Sequence, residues 1–211
     1  MRLPGGAILH VGPPALADAI VAEWQQAGGM GGEMGWADVP LTTLAGTAQE
    51  RIAPDPAPVA AALAAYGQTD LLCYRAEDGR LRERQAREWQ PWLDWSARAL
   101  DAPLLVTQGI MHLAQPEASL AALARAVAAL DVHALAALGV AVPSMGSLVL
   151  GLALAAGEIA PADAHLVATL DERAQAERWG ADAEAQARLA RLEAEILLAG
   201  RYLALSREVP G

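Results

Sequence analysis

Apolar side chains recur every three or four residues along most of this chain, which is the spacing of one face of an α-helix. In the first such segment, Leu16, Ile20 and Trp24 follow Pro14, a residue typical of the first turn of a helix. From residue 116 onward the helical spacing continues with only short interruptions. The pattern predicts helices over residues 14–28, 40–52, 57–66, 80–100, 116–130, 132–142, 144–155, 161–179 and 181–205.

Three shorter apolar runs are typical of strands, and all of them precede residue 112. They cover residues 7–11, 70–76 and 103–107. We therefore predict an α+β fold with two parts. A small mixed α/β N-terminal domain over residues 1–112 is followed by an all-helical C-terminal domain over residues 113–211.

The helix predicted over residues 80–100 carries tryptophans along one face, at Trp89, Trp92 and Trp95. We expect these indoles to pack into the core rather than to serve as surface anchors for a partner. Pro91 lies among them and is expected to kink or restart the helix, because proline has no backbone N–H to donate.

A stretch over residues 132–157 contains no Asp, Glu, Arg or Lys and is long enough to cross a bilayer. Its middle, however, contains Pro143, Ser144 and Gly146, which divide it into two pieces too short to span a membrane. We predict two buried helices joined at a Pro-Ser corner, and a protein that is not membrane-inserted. A membrane-associated helical protein is the rival interpretation of this stretch.

The charge and cysteine content exclude several classes of partner and site. The formal net charge is −10, and a surface of that sign repels nucleic acid. The single cysteine, Cys73, lies in an apolar run and is predicted to be a buried structural thiol rather than a nucleophile. One cysteine also allows neither an intramolecular disulfide nor a cysteine-based zinc site.

The usual signatures of catalysis are missing from the sequence. The four histidines are scattered without metal-ligand spacing. The serines at 144 and 147 do not lie in the Gly-x-Ser-x-Gly turn of a hydrolase nucleophile, and Ser147 is expected to cap a helix or bond back to it. The glycine-rich segment over residues 28–35, predicted to be a loop, lacks the Lys of a phosphate-binding loop. We therefore predict a protein that is not an enzyme and needs no cofactor, with a small hydrolase or ATPase of unknown substrate as the alternative.

Carboxylates concentrate around residues 171–184. Asp182 and Glu184 open a predicted helix, where the helix dipole favours acidic side chains. Asp171 and Glu172 fall inside their predicted helix, and neither has an Arg three or four residues away to form a helical ion pair. They belong either to a solvated face or to a polar contact site for a partner.

Residues 170–180 read Leu-Asp-Glu-Arg-Ala-Gln-Ala-Glu-Arg-Trp-Gly. This segment resembles the signature of the ATP synthase F₁ assembly chaperones, which in mitochondria are called ATP synthase assembly factor 2. The signature is an acidic pair, a Gln three residues later, and Trp-Gly at the end of the helix. Further segments that resemble the family follow in order from about residue 14 to 190. They are Glu23-Trp24, the Pro-Leu-Thr-Thr-Leu-Ala-Gly-Thr-Ala stretch at 40–48, residues 69–75, Gln85 with Trp89-Gln90-Pro91 and Trp95, residues 147–150 with Ala153, and residues 182–185.

The resemblance implies a chaperone, acting without nucleotide or metal, that binds unassembled F₁ α subunit and prevents its aggregation until the β subunit replaces it. It makes Asp171, Glu172, Gln175 and Glu177 the expected partner-binding residues. It also implies action in the bacterial cytoplasm, or in the mitochondrial matrix for a eukaryotic member.

Two other residues of the signature are expected to fix the corner between the last two helices. Trp179 would do so by burying its indole and Gly180 by capping a helix C-terminus. The sequence also departs from the family pattern: Gln90 replaces a usual acid, and Ala174 replaces a frequent aromatic. Family members usually carry additional β-strand sequence ahead of the position that is Met1 here.

Overall fold

Helices account for most of the structure, a computed structural model that describes residues 1–29, 35–180 and 182–207. Most of the helices predicted from the apolar spacing are present, with ends shifted by a few residues. They are α1 (Pro14–Gly29), α2 (Pro40–Thr47), α3 (Ala57–Ala64), α4 (Gly79–Ala99), α5 (Glu117–Ala128), α6 (Val132–Met145), α7 (Leu148–Ala156), α8 (Pro161–Ala168), α9 (Leu170–Trp179) and α10 (Ala183–Ser206). A π-helical turn over Ala48–Ile52 extends α2 to the predicted end of that helix. The predicted loop over residues 28–35 falls largely outside the described residues.

The sheet is smaller than the apolar runs predict. It consists of β1 (Tyr74–Arg75) and β2 (Thr107–Gln108), which pair in parallel with Tyr74 opposite Thr107. The run before β1 forms a 3₁₀ turn over Leu71–Cys73. The run over residues 7–11 contributes a single antiparallel bridge between Ile8 and Arg2. The protein is therefore mostly helical with a two-stranded parallel sheet.

The core is one cluster of buried apolar side chains that extends from Leu16 in α1 to Leu203 in α10. Helix α10 packs against α1 and α2 as well as against α6 and α8, so elements from both ends of the chain share this core. The division into domains at residues 112 and 113 stays a prediction.

The apolar stretch over residues 132–157 forms the buried pair α6 and α7, as predicted, but the corner lies later than the sequence suggested. Pro143 and Ser144 belong to the last turn of α6, and the Ser144 hydroxyl donates to the Val140 carbonyl at 2.8 Å. The chain reverses at Gly146, whose φ of +64° favours a residue without Cβ. Within the described residues, no helix is long and apolar enough to cross a membrane.

Ser147 begins α7, because its side chain accepts a hydrogen bond from the Leu150 N–H at 3.1 Å. This confirms the predicted capping role.

A kink or a restart was predicted at Pro91. The restart does not occur, and α4 continues through this residue as one element of 21 residues. Pro91 removes the helical donor of the Arg87 carbonyl. Both residues are exposed, so water can replace that donor.

The expected burial of the tryptophan face is confirmed most clearly at Trp89, which is fully buried and donates its indole N–H to the Val167 carbonyl at 2.9 Å. Trp92 and Trp95 are half-buried against the same core. Cys73 is buried as predicted, and burial raises the pKa of its thiol to about 12. A thiol held in its protonated form is a poor nucleophile.

Asp70 is a fully buried carboxylate that joins the 3₁₀ turn before β1 to the start of α7. It accepts hydrogen bonds from the Leu72 N–H at 3.1 Å, the Ser147 hydroxyl at 2.8 Å and the Val149 N–H at 3.0 Å. Burial raises the pKa of this carboxyl, and the hydrogen bonds oppose that rise. One side chain therefore satisfies donors from two segments that are distant in the sequence.

We expect Asp70→Ala to lower the free energy of unfolding at pH 7 by about 3 kcal/mol, because it leaves these buried donors without an acceptor. Asp131→Ala, which removes one capping bond from an exposed side chain to the Ala134 N–H, is the control and should cost about 1 kcal/mol. Urea denaturation measures both values. Equal losses in the two variants would contradict the role assigned to Asp70.

The stability difference between wild type and Asp70→Ala should also depend on pH. The folded-state pKa of Asp70 is raised, so the folded protein holds this proton more tightly than the unfolded chain does. Stability from Asp70 is then greatest below the unfolded pKa of about 4 and declines as pH rises toward the folded value. Urea curves from pH 4 to pH 8 should show the difference narrowing; a widening difference would contradict the raised pKa.

Close packing between α8 and α10 depends on Gly200, where an added Cβ would overlap the ring of Pro161. Gly200→Ala should lower the free energy of unfolding by roughly 1–3 kcal/mol through overpacking. Gly139→Ala in α6 is the control, because a Cβ there meets open space, and it should be neutral or slightly stabilising. A neutral Gly200→Ala in thermal denaturation would contradict this packing.

Candidate partner-binding site

The acidic helix α9 begins at a break that the sequence did not reveal. Thr169 separates α8 from α9; its hydroxyl and its N–H both donate to the His165 carbonyl, at 2.7 and 3.0 Å. Asp171 and Glu172 consequently lie in the first turn of α9. The prediction that they are interior to a helix was wrong, and the positive end of the helix dipole does favour them there.

Asp171 is half-buried and attaches the start of α9 to α4. Its carboxylate accepts a hydrogen bond from the Gln85 side-chain amide at 2.8 Å. The Gln85 side chain also accepts from the Ala76 N–H at 2.7 Å, so it connects the end of β1 to α9. Burial raises the pKa of Asp171, whereas the Gln85 bond lowers it.

The buried guanidinium of Arg75 lies near the Gln85–Asp171 hydrogen bond. The Arg75 guanidinium donates to the Leu72 carbonyl and lies over the Trp89 ring, 5.2 Å from its centroid. Its charge is close enough to Asp171 that each stabilises the ionised form of the other. Asp171 therefore contributes to holding α9 in place.

The other two predicted acidic site residues form ion pairs with arginines of neighbouring helices. Glu172 pairs with Arg188 of α10 at 2.8 Å, and Glu177 pairs with Arg84 of α4 at 2.8 Å. Arg84 lowers the pKa of Glu177 through this hydrogen bond and its charge. These arginines are distant in the sequence, so helical spacing could not reveal them. Gln175, the fourth predicted site residue, is exposed.

A polar groove of about 940 Å³ lies between the first half of α4 and the end of α9. Gln175 and Glu177 line it, and Asp171 and Glu172 do not. The structure therefore separates the four predicted residues into two that face the groove and two that hold its α9 wall in place. The remaining residues that line the groove are Asp78, Arg80, Leu81, Glu83, Arg84, Arg87, Ala174, Arg178 and Trp179.

Trp179 does not bury its indole, contrary to prediction. It is 77% exposed at the end of α9, with the Arg178 guanidinium 5.1 Å from the ring centroid. Trp179 is the last residue of α9 and lies beside the open groove, so the indole stays exposed. Gly180 has the predicted capping role, since its N–H donates to the Ala176 carbonyl and its φ is +82°.

A second exposed apolar group, Ile110 and Met111, lies near the N-terminal end of α4 and was not predicted from the sequence. Ile110 is 95% exposed and Met111 is 77% exposed, just after β2. The preceding Gly109 donates its N–H to the Arg75 carbonyl at 2.8 Å, which places this tip beside the turn that leads into α4. The sequence feature that could have indicated this exposed group is an apolar pair in a segment without helical or strand spacing.

The groove offers hydrogen-bond donors, acceptors and an apolar surface, which suits the binding of a polypeptide. Within the ranges that the structure describes, no group of three His, Cys, Asp or Glu side chains could hold a metal ion.

Asp171→Lys should destabilise the fold, because it breaks the Gln85 hydrogen bond and places an ammonium group near Arg75. We expect a loss of about 2 kcal/mol in the free energy of unfolding, measured with urea. Gln175→Lys is the control on the same helix; it is exposed and should change stability by less than about 0.5 kcal/mol. Equal stability of the two variants would mean that Asp171 does not hold α9.

Comparison with known proteins agrees with this architecture. Residues 1–97 match the family model described as the ATP12 chaperone protein. The crystal structure of Atp12 from Paracoccus denitrificans superimposes with a TM-score of 0.92 at 41% identity, over 98% of this chain and 88% of that one. A mutant of the same Paracoccus protein gives a TM-score of 0.91 at 41% identity with the same coverage. The Atu1473 protein from Agrobacterium tumefaciens superimposes with a TM-score of 0.85 at 33% identity, over 98% of this chain and 76% of that one.

Sequence identity of this level across nearly the whole chain goes well beyond a shared fold. The chain belongs to the ATP12 chaperone family.

Proposed function

We propose that this protein is an assembly chaperone of the F-type ATP synthase that binds unassembled F₁ α subunit until β replaces it. Family membership supports the general role, and the resemblance of residues 170–180 to the family signature supports the client. The observation that carries the proposal is the exposure of Trp179, at the end of the helix that carries this signature. Tryptophan is enriched among the residues that contribute most to binding at protein interfaces, so an exposed indole beside a groove is a candidate anchor for a partner.

The client's own chemistry fits such a surface. A subunit that is normally enclosed in a complex exposes apolar interface area before assembly. Trp179 and the tip formed by Ile110 and Met111 provide exposed apolar contacts near the same end of α4. Polar side chains around them would fix the orientation of the client.

Within this proposal, the four residues of α9 have different roles. Gln175 and Glu177 face the groove and contact the client directly. Asp171 and Glu172 hold α9 against α4 and α10 through Gln85 and Arg188. That Asp171 and Glu172 also touch the client stays a prediction.

The place of action follows from the client. A protein that captures new α subunit acts where F₁ is assembled, which is the bacterial cytoplasm or, for a eukaryotic member, the mitochondrial matrix. No nucleotide or metal takes part in the proposed cycle.

Capture of α subunit by the purified protein tests the proposal. Tagged wild type incubated with cell lysate should retain the F₁ α subunit, identified by mass spectrometry, without added ATP. Trp179→Ala should retain several-fold less α while melting at the same temperature, because the indole is exposed. Trp89→Ala is the contrasting variant, since it removes a buried indole and should lower the melting temperature.

Recovery of many proteins but no α subunit would contradict the proposed client. Saturable binding of ATP in calorimetry would instead favour the enzyme alternative.

A further inference from the structure

The groove between α4 and α9 has a local charge that differs from the rest of the molecule. Four arginines and three carboxylates line it, in a chain whose formal net charge is −10. Three of the arginines, Arg80, Arg84 and Arg87, follow the spacing i, i+4, i+7 and so lie on one face of α4. Arg178 faces them from α9.

Two of these arginines are in no direct ion pair within the described residues, although Arg80 is close enough to act electrostatically on Asp78 and Glu177. In the part of the chain that the structure describes, neither Arg80 nor Arg87 forms a salt bridge or a side-chain hydrogen bond. Both are exposed. A guanidinium can donate two parallel hydrogen bonds to one carboxylate, so each is a ready site for an acidic side chain.

The other two arginines form ion pairs that an incoming carboxylate could replace. Arg84 pairs with Glu177 at 2.8 Å, and Arg178 pairs with Asp78 at 3.6 Å. The Glu177 side chain is 61% exposed and the Asp78 side chain 51% exposed, so solvent screens both pairs. Exchanging one exposed carboxylate for another would change the free energy little.

The end of the groove provides an apolar contact. Trp179 lines the groove with its indole 77% exposed, and Arg178 lies over the ring. The part of the indole that Arg178 does not cover is available to an apolar side chain of a ligand.

We propose that this groove binds an acidic segment of the client, with carboxylates on Arg80 and Arg87 and an apolar side chain against Trp179. The inference deepens the proposed function and rests on it for the identity of the client. It assigns the arginines of α4 to the interface, in addition to the acidic residues of α9.

Charge reversal in the groove tests the inference directly. Arg80→Glu combined with Arg87→Glu should weaken capture of purified F₁ α subunit by roughly tenfold or more at low salt. The loss should be smaller at high salt, because salt screens exposed charges. Arg51→Glu combined with Arg201→Glu is the matched control, because both arginines are exposed, do not line the groove and give the same change in net charge. Melting temperatures should be unchanged in both double variants.

A random peptide library displayed on phage tests the groove without the α subunit. Wild type should enrich peptides rich in Asp and Glu with an aromatic or aliphatic residue. The enrichment should be lost in the groove variant and in Trp179→Ala, and kept in the control variant.

The outcomes separate the two proposals. Capture of α subunit that is equal in wild type and the groove variant would overturn the acidic-segment inference and leave the client proposal standing. Failure of wild type to capture α, together with groove-dependent enrichment of acidic peptides, would overturn the client and support the groove. Enrichment of basic peptides, or enrichment that does not depend on Arg80 and Arg87, would overturn the inference.

Discussion

The carboxylate of Asp70 is the constraint on which the rest of the structure depends. It is fully buried, and its acceptor capacity is used by donors from the turn before β1 and from the first turn of α7. A buried carboxylate is costly unless such donors surround it, so the two segments must stay together for the core to exclude water. The contact places the apolar pair α6 and α7 against the segment that leads through β1 into α4.

The candidate site follows from that placement. The chain continues from β1 into α4, and Gln85 of α4 accepts from the end of β1 while it donates to Asp171 of α9. Trp89, one turn further along α4, attaches the same helix to α8. Helix α9 is thus attached to α4 at its start by Asp171 and, closer to its end, by the ion pair between Glu177 and Arg84. The groove lies between these two helices, and Trp179 is exposed at its end. A polar groove with an exposed indole at its end suits the binding of another polypeptide.

Local pattern was sufficient to predict most helices but not the contacts between them. The spacing of apolar residues predicted α1 and α10, and Ser147 was predicted to cap a helix. The break at Thr169 was missed because the apolar spacing continues across it and the interruption depends on hydrogen bonds to His165. The short strands were overestimated because an apolar run of β-like length can also form a buried 3₁₀ turn, as Leu71–Cys73 does.

The contacts of the candidate site could not be predicted from the sequence either, because they also depend on side chains from other helices. The signature over residues 170–180 drew attention to the helix that lines one side of the groove, but the contacts of its residues depend on tertiary partners such as Gln85 and Arg188. Trp179 was expected to be buried because tryptophan usually is, and only its position at the end of α9 shows otherwise.

Amide hydrogen exchange on the complex with F₁ α subunit tests the central claim most directly. If the groove is the client site, binding should slow exchange in residues 78–87 and 171–179, and leave the buried pair α6 and α7 unchanged. Protection confined to another face, with α9 exchanging as fast as in the free protein, would contradict the account.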